Sequence, residues 1–299
     1  MRKIIFLVIL VLLIPYLLIK LFIYDDNIKL FFKDNNIIRV KTDEEVIKIN
    51  LEEYILNVLA NEMPASFEVE ALKAQAVASR SYAMYHMDLN KNKNYDIVST
   101  VLNQVYSDDN ELKRKFGKDY DYYMNKLKKI IIDTDGQYLK YDNNVINALF
   151  FSTSNGKTEN VEEVFGEKLD YLQSVDSSFD ESISPSFNDE IILKKSEFCL
   201  KLKIDCNKVK INNIIKTSTG RVNKIIINNK TFKGSELSKL LNLKSSTFTI
   251  TVDNDIKINT KGYGHGVGMS QYGAQYLALN GKKYDEILKY YYKNTKLVK

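Results

Sequence analysis

The sequence predicts an α+β protein in which one membrane-spanning helix precedes a mixed helical and antiparallel-sheet domain outside the membrane. An apolar segment opens the chain, helical and strand-like periodicities then alternate without a regular βαβ repeat, and 299 residues suffice for one large domain or two modest ones. We expect two lobes with a groove between them. The expected divisions are an anchor over residues 1–24, a tether over 25–45 and a functional domain over 46–299.

The first 24 residues favour an uncleaved membrane anchor. Residues 4–24 are apolar or proline except for Lys20, and a helix needs about 20 such residues to cross the hydrocarbon core. Arg2 and Lys3 favour an inside N-terminus, which places the domain outside the cell membrane. The alternative, a cleaved signal peptide, has an apolar core of about 7–15 residues followed by small residues, and this segment ends in bulky ones.

Charge and cysteine content exclude some functions and leave others open. The net charge of +5 comes with no basic run, so we expect no nucleic-acid partner, whereas weak attraction to an anionic surface stays open. Cys199 and Cys206 either pair as a short loop in an exported chain or are unrelated thiols. Two cysteines with His86 and His265 do not make a four-ligand zinc site.

The elements follow in order along the chain. The tether contains one strand, Ile37 to Val40, and a helix begins at Leu51, where apolar residues recur at helical spacing. Pro64 ends this helix, and Ser66 is expected to cap a second one that runs to about Met87. Further helices are expected over 120–132, 194–203 and 270–279, strands over 137–141, 145–152, 209–216, 221–228 and 247–258, and a loop over 176–190.

Glu62 is the first candidate for chemistry. It lies between a helix end and a Met-Pro step, before an alanine-rich helix, where partial desolvation raises a carboxyl pKa and makes the group a usable acid near neutral pH. The alternative is a surface glutamate at a helix end.

Two polar segments are further candidates. In residues 262–271, alternating glycines surround His265, but the spacing does not fit a dinucleotide-binding loop, and a lone histidine is more often structural. In residues 150–160, the hydroxyls of Ser152 and Ser154 suit a sugar ligand, whereas a serine nucleophile lacks its G-x-S-x-G turn. A polar turn after a strand is the simpler interpretation of the second segment.

Several blocks together carry more information than any single residue. Asn61-Glu62-Met63-Pro64 precedes an alanine-rich block over 70–83, and Ser152-Thr153-Ser154-Asn155-Gly156-Lys157-Thr158-Glu159 follows. Asp170-Tyr171-Leu172-Gln173-Ser174-Val175 and the Gly-His-Gly-Val-Gly-Met-Ser-Gln-Tyr-Gly-Ala run at 264–274 complete the series. In order and in residue types, the chain over 46–299 resembles the stage II sporulation protein D family.

The resemblance implies a peptidoglycan lytic transglycosylase, which cleaves the bond between N-acetylmuramic acid and N-acetylglucosamine and leaves a 1,6-anhydro end. Glu62 matches the family's catalytic glutamate. Arg80 matches a functionally important arginine, expected to contact substrate or orient the site, and Tyr171 matches a groove position. Ser152, Ser154 and His265 are expected to line the cleft.

The same resemblance implies partners and shows departures. Expected partners are peptide-stripped glycan strands, a wall amidase or endopeptidase, and a multi-spanning membrane protein at the septum between mother cell and forespore during engulfment. Gln173 stands where relatives commonly carry a basic residue. Some relatives bind zinc through Cys and His near residues 96–106, and neither type occurs there, so we expect no metal and no cofactor. The alternatives are a non-catalytic, wall-binding amidase enhancer and a structural protein.

Overall fold

Helices and short, mostly antiparallel strands alternate along the chain, which confirms the α+β class in the computed structural model. The structure describes residues 36–100 and 104–299, and Ile37–Lys299 form one unit. The predicted anchor and most of the tether lie outside the described residues. Among the described helices, none is both long and apolar enough to cross a membrane.

The first sheet extends the domain towards the N-terminus. Strand β1 (Ile37–Lys41) pairs antiparallel with β2 (Val46–Asn50) and parallel with β3 (Ile97–Val98). Ile38 and Val40, which lie two residues apart and therefore on the same face of β1, are fully buried. The strand that the sequence places in the tether is therefore part of the fold, and the folded domain begins at residue 37 rather than 46.

Two central helices position the candidate acid. Helix α1 (Leu51–Glu62) is capped by the Asn50 side chain, which accepts hydrogen bonds from two backbone N–H groups. It ends at Met63, whose backbone is extended before Pro64, as predicted. Helix α2 (Val69–Leu89) has Glu68, not Ser66, at its N-cap position, so the prediction that Ser66 caps it is wrong. Ser66 lies in a turn that the Phe67 N–H closes on the Pro64 carbonyl.

Helix α2 packs against four other helices, because its buried face carries alanine and serine side chains that allow close approach. The helices expected over 120–132, 194–203 and 270–279 are confirmed, whereas the loop expected over 176–190 contains a short helix and the start of a strand. The remaining helices are α3 (Asp109–Phe116), α4 (Tyr120–Asp133), α5 (Val161–Phe165), α6 (Asp180–Ile183), α7 (Lys195–Leu202), α8 (Gly234–Leu241), α9 (Gln271–Leu279) and α10 (Tyr284–Tyr291).

The single strand expected over 145–152 is wrong, because the segment divides between two sheets. Its first part, β5 (Asn144–Val145), pairs with β4 (Tyr138–Tyr141), which also pairs with the C-terminal β14 (Lys296–Val298). Its last part, β6 (Phe150–Phe151), pairs in parallel with β13 (Met269–Ser270). A hydrogen bond from the Leu149 N–H to the Asn147 carbonyl turns the chain between them.

Residues 188–261, here called the small lobe, build a hydrophobic cluster of their own. The single strand expected over 247–258 is a hairpin, because the chain turns at Asp253, whose N–H bonds to the Asp255 carbonyl. A disulfide joins Cys199, within α7, to Cys206, just after that helix. One sheet has the order β11 (Phe248–Val252), β12 (Asp255–Lys261), β7 (Asn188–Lys194), and the other β10 (Lys230–Lys233), β9 (Val222–Ile227), β8 (Ile211–Lys216).

Candidate active site

A groove of about 630 Å³ lies between the end of α1, strand β6 and the glycine segment 262–268. No residue of the small lobe lines it, so the predicted position between two lobes is wrong: the rest of the domain supplies both walls. The described lining is rich in aromatic rings. It consists of Asn61, Glu62, Tyr82, Val105, Leu149, Phe150, Phe151, Ser152, Phe165, Tyr263, Gly264, His265 and Gln271.

Glu62, the last residue of α1, is the one acidic residue in the described lining of the groove. It is half-buried, and burial raises its pKa above the ordinary glutamate value. The Val105 N–H, 3.4 Å from Oε1, and the Gln271 side chain oppose this shift, because hydrogen bonds stabilise the charged form. Lys115 opposes it through its charge and is held in place by the Ala60 carbonyl, 2.8 Å from Nζ.

Ser152 and His265 join Glu62 in the groove lining. The His265 ring lies between Phe151 and Phe165, with centroid separations of 5.8 and 5.7 Å. Its Nδ1 accepts a hydrogen bond from the Val267 N–H at 3.1 Å, and the Phe150 carbonyl takes a hydrogen bond from the ring. Burial, followed by the nearby positive charge of Arg221, lowers its pKa to about 4. His265 is therefore a neutral wall residue near neutral pH.

The glycine segment places backbone, rather than side chains, against its neighbours. A Cβ at Gly266 would lie 2.4 Å from the Arg221 guanidinium, and one at Gly268 would lie 1.9 Å from the Leu149 carbonyl oxygen. Both residues also have positive φ, +87° and +83°. The alternating glycines thus serve close packing, a role that the sequence analysis does not predict.

A buried ion pair under this segment is a feature that the sequence analysis misses. Arg221 Nε lies 3.2 Å from Glu159 Oε1, and both side chains are almost fully buried. Arg221 Nη1 donates to the Gly264 carbonyl at 2.9 Å, and the Glu159 N–H donates to the Gly266 carbonyl at 2.8 Å. Burial raises the pKa of Glu159 to about 6 and lowers that of Arg221 to about 10. The charge of each partner counteracts these shifts, because it stabilises the charged form of the other. Glu159 closes one of the family-like blocks, whereas nothing local marks Arg221.

Ser154 lies beneath the groove rather than in it, so the predicted lining role is wrong. It is fully buried, its Oγ donates to the Ser177 carbonyl at 2.8 Å, and its N–H donates to Asp180 Oδ2 at 2.7 Å. Asp180, a second buried carboxylate, also accepts hydrogen bonds from the hydroxyls of Ser177 and Ser270. Ser270 caps helix α9, so this network fixes the helix that begins with the groove residue Gln271.

Tyr171 and Arg80 also lie outside the groove lining. The buried Tyr171 hydroxyl accepts a hydrogen bond from the Asn147 N–H at 3.2 Å. Arg80 is 1% exposed, pairs with Glu52 and donates to the Gln137 carbonyl at 2.8 Å. A substrate contact by Arg80 is therefore wrong, because protein encloses the guanidinium. An orienting role, through its links to α1 and the segment before β4, stays a prediction.

Two further expectations concern charge and metal. Gln173 is exposed, donates to the Leu169 carbonyl at 3.1 Å and does not line the groove. Within residues 36–100 and 104–299, no cluster of three or more His, Cys, Asp or Glu side chains is arranged to hold a metal ion.

Fold and site together define an α+β domain with a single candidate acid in an aromatic groove. The stage II sporulation protein family model matches residues 40–141, which include Glu62. Stage II sporulation protein D of Bacillus subtilis (strain 168) is 40% identical over 247 residues, covering 80% of this chain and 72% of the relative. The protein of the same name from Bacillus amyloliquefaciens is 38% identical over 245 residues, with 80% and 71% covered.

An amidase enhancer of Bacillus subtilis (strain 168) is 29% identical over 296 residues, covering 80% of this chain but 39% of the relative. The extent and identity of the first two matches decide the family. This chain belongs to the stage II sporulation protein D family, which acts in sporulation.

Proposed function

We propose that this protein is a lytic transglycosylase that cleaves septal peptidoglycan between N-acetylmuramic acid and N-acetylglucosamine during engulfment. The observation that carries the proposal is the single carboxylate, Glu62, in the described groove lining, with a pKa raised by burial. Most glycosidases need two carboxylates, one as acid and one as nucleophile or base. One suffices here, because the C6 hydroxyl of the muramic acid is the nucleophile.

The proposed reaction uses Glu62 twice. Protonated Glu62 gives its proton to the glycosidic oxygen as the bond from C1 to that oxygen breaks. The C6 oxygen bonds to C1, and the hydroxyl proton passes to the Glu62 carboxylate, which restores the acid without consuming water. The raised pKa favours the protonated form of Glu62 that the first step needs, while the Val105 N–H and Gln271 stabilise the carboxylate formed between the steps.

The aromatic lining supports a saccharide as the ligand. Tyr263 and Phe165 line the groove and leave 47% and 51% of their surfaces exposed. Exposed rings beside a polar acid suit a sugar ring, which has an apolar face and polar edges. Ser152 and Asn61 supply hydroxyl and amide groups on the same groove.

Digestion of peptide-stripped glycan strands by residues 37–299 tests the proposal. Glu62→Gln keeps the shape of the side chain and loses its titration, so we expect anhydro ends to form about 10²- to 10⁴-fold more slowly. Glu53→Gln, an exposed substitution on the same helix, is the matched control and should retain activity. Equal formation of anhydro ends by Glu62→Gln would contradict the assignment of the acid.

A non-catalytic amidase enhancer is the second candidate, supported by the relative that carries this name. In that case the groove binds glycan and a partner hydrolase does the cutting. Glycan binding without anhydro ends from the wild type, together with faster release of stem peptides by an added wall amidase, would favour it over the transglycosylase.

We also propose that residues 1–24 anchor the protein in the cell membrane with its N-terminus inside and its domain in the septal space. The Cys199–Cys206 disulfide supports an extracytoplasmic location, because such bonds persist mainly in oxidising compartments. The wall partners are then peptide-stripped glycan, a wall amidase or endopeptidase that prepares it, and a multi-spanning protein of the same membrane.

A further inference from the structure

A second cavity, of about 540 Å³, lies on the small lobe. The ends of β7, β11 and β12 form it together with Lys216 at the end of β8. Its volume falls within the range of about 300–1,000 Å³ that is typical of small-molecule sites. The candidate acid Glu62 is absent from its lining, so this cavity is a separate place on the molecule.

The charge around the cavity is net positive once two neighbouring lysines, Lys244 and Lys257, are counted with its lining. Asp189 and Glu190 line it, but Lys244 neutralises the first at 2.9 Å and Lys257 the second at 2.7 Å. Lys216 and Lys261 also line it, and within the described part of the chain neither is paired with an acidic side chain. Lys261 Nζ lies 5.6 Å from the centroid of the Phe187 ring, a contact that leaves its charge uncompensated. The two ammonium groups without an acidic partner therefore favour an anionic ligand.

The uncharged lining suits a carbohydrate. Residues with hydroxyl or amide side chains line the cavity from all three strands. Thr260 is 3% exposed, and its Oγ1 has no hydrogen-bond partner among the described residues. Water or a bound ligand can satisfy such a hydroxyl, so Thr260 offers a hydrogen-bonding group at this edge of the cavity. The other uncharged polar residues of the lining are Asn188, Thr247, Thr249 and Asn259.

The cavity and the groove are joined by the chain itself. Lys261, the last residue of β12, lines the cavity, and Tyr263, two residues later, lines the groove. Two residues span at most about 7 Å, roughly the size of one or two sugar rings. A bridge between Tyr263 and Thr153 and a hydrogen bond from the Gly262 N–H to the Phe187 carbonyl fix this connection.

We propose that the small-lobe cavity is a distal subsite for the same glycan strand, and that Lys216 and Lys261 bind the lactyl carboxylates of its muramic acid residues. The inference rests on the proposed function and specifies which group of the glycan the cavity binds. In a strand with stem peptides, the lactyl group forms an uncharged amide. Removal of the peptide leaves a carboxylate on the lactyl group itself, next to the sugar ring, and the two lysines bind the charge at that position.

Binding measurements on the full chain carrying Glu62→Gln test the subsite, because the strand then stays intact. We expect Lys216→Gln with Lys261→Gln to weaken binding of fluorescent stripped strands about three- to tenfold, more at low salt than at high salt. Binding of an uncharged chitin oligosaccharide of equal length should not change. The matched control is Lys91→Gln with Lys201→Gln, which removes two exposed lysines outside both cavities.

Three results would overturn the subsite. They are equal binding by the double variant and its control, an equal loss for the chitin oligosaccharide, and a loss confined to a phosphate-bearing wall polymer used as a second probe. Thermal unfolding of each variant shows whether a loss reflects misfolding, in which case Lys216→Arg with Lys261→Arg must restore binding. Failure of the proposed function gives a different result from failure of the subsite. In that case the wild type forms no anhydro ends, while the difference in binding between the double variant and its control persists.

Discussion

Glu62 combines two local influences that the structure places around one carboxyl group. The end of α1 at the Met63-Pro64 step leaves the side chain half-buried beside aromatic rings, and this burial raises its pKa. Gln271 and the Val105 N–H act in the opposite direction by stabilising the carboxylate. The balance suits a group that must give up a proton and then take one back.

Substitution of Gln271 tests this balance through the pH dependence of activity. Because the Gln271 hydrogen bond stabilises the charged form of Glu62, Gln271→Ala should raise the Glu62 pKa further and move the alkaline fall in kcat/KM to higher pH. Gln275→Ala, on the same helix and outside the groove lining, is the control. An unchanged profile, or a shift to lower pH, would contradict the assigned acid.

Residue-scale prediction from the sequence worked where a local pattern defined the environment. Glu62 could be singled out from the helix, the Met-Pro step and the family-like block around it. Arg80 and Tyr171 fit the same blocks, but their burial depends on Glu52 and Asn147, which no spacing in the sequence connects to them. Asp180 and Arg221 escaped notice because their partners are distant in sequence.

At the scale of elements, the glycine segment connects the small lobe to the groove. Arg221, just before β9, holds the Gly264 carbonyl, and Gly266 leaves room for its guanidinium. Glu159 neutralises that charge from the other side. The wall that carries Tyr263 and His265 therefore depends on a buried ion pair.

Removal of one partner of this ion pair should make the protein less stable against unfolding. Glu159→Gln leaves the Arg221 charge buried without a counter-ion and should lower the free energy of unfolding in urea by about 3–5 kcal/mol. Glu159→Leu combined with Arg221→Met removes both charges and should recover much of that loss. A decrease below about 1 kcal/mol for Glu159→Gln would show that the pair contributes little to the fold.

Helices and strands are predictable from the sequence where the spacing of apolar residues agrees with the residues that end an element. Apolar spacing and Pro64 defined α1, and both of its ends match the structure. The segment 145–152 was misassigned because β6 pairs with β13, a partner far along the chain. The turn at Asp253 has a polar signal, Asp253-Asn254-Asp255, but the strand-like residues on both sides of it predict one continuous strand instead of two.

At the scale of the whole molecule, the α+β class followed from mixed periodicities, whereas the place of the groove did not. The small lobe has its own hydrophobic cluster, yet the groove lies entirely in the rest of the domain. Lobe boundaries follow from clusters of apolar side chains, which leave a pattern in the sequence. A groove depends on how loops approach each other in three dimensions, which leaves none.

The proposed anchor limits where the domain acts. The proposed tether, residues 25–36 before β1, spans at most roughly 40 Å if fully extended. Deletion of residues 1–24 should leave turnover of soluble glycan strands unchanged and abolish septal localisation of a fluorescent fusion in sporulating cells. Retained localisation, or lost turnover with an intact fold, would contradict the anchor's assigned role.

In the proposed reaction the substrate's own hydroxyl, assisted by Glu62, replaces water as the nucleophile. Digestion of stripped glycan in heavy-oxygen water, followed by mass spectrometry of the products, tests this most directly. We expect product ends lighter by one water than hydrolysis products and free of the heavy isotope, formed about 10²- to 10⁴-fold more slowly by Glu62→Gln. Incorporation of one heavy oxygen at each new end would contradict it and identify a hydrolase.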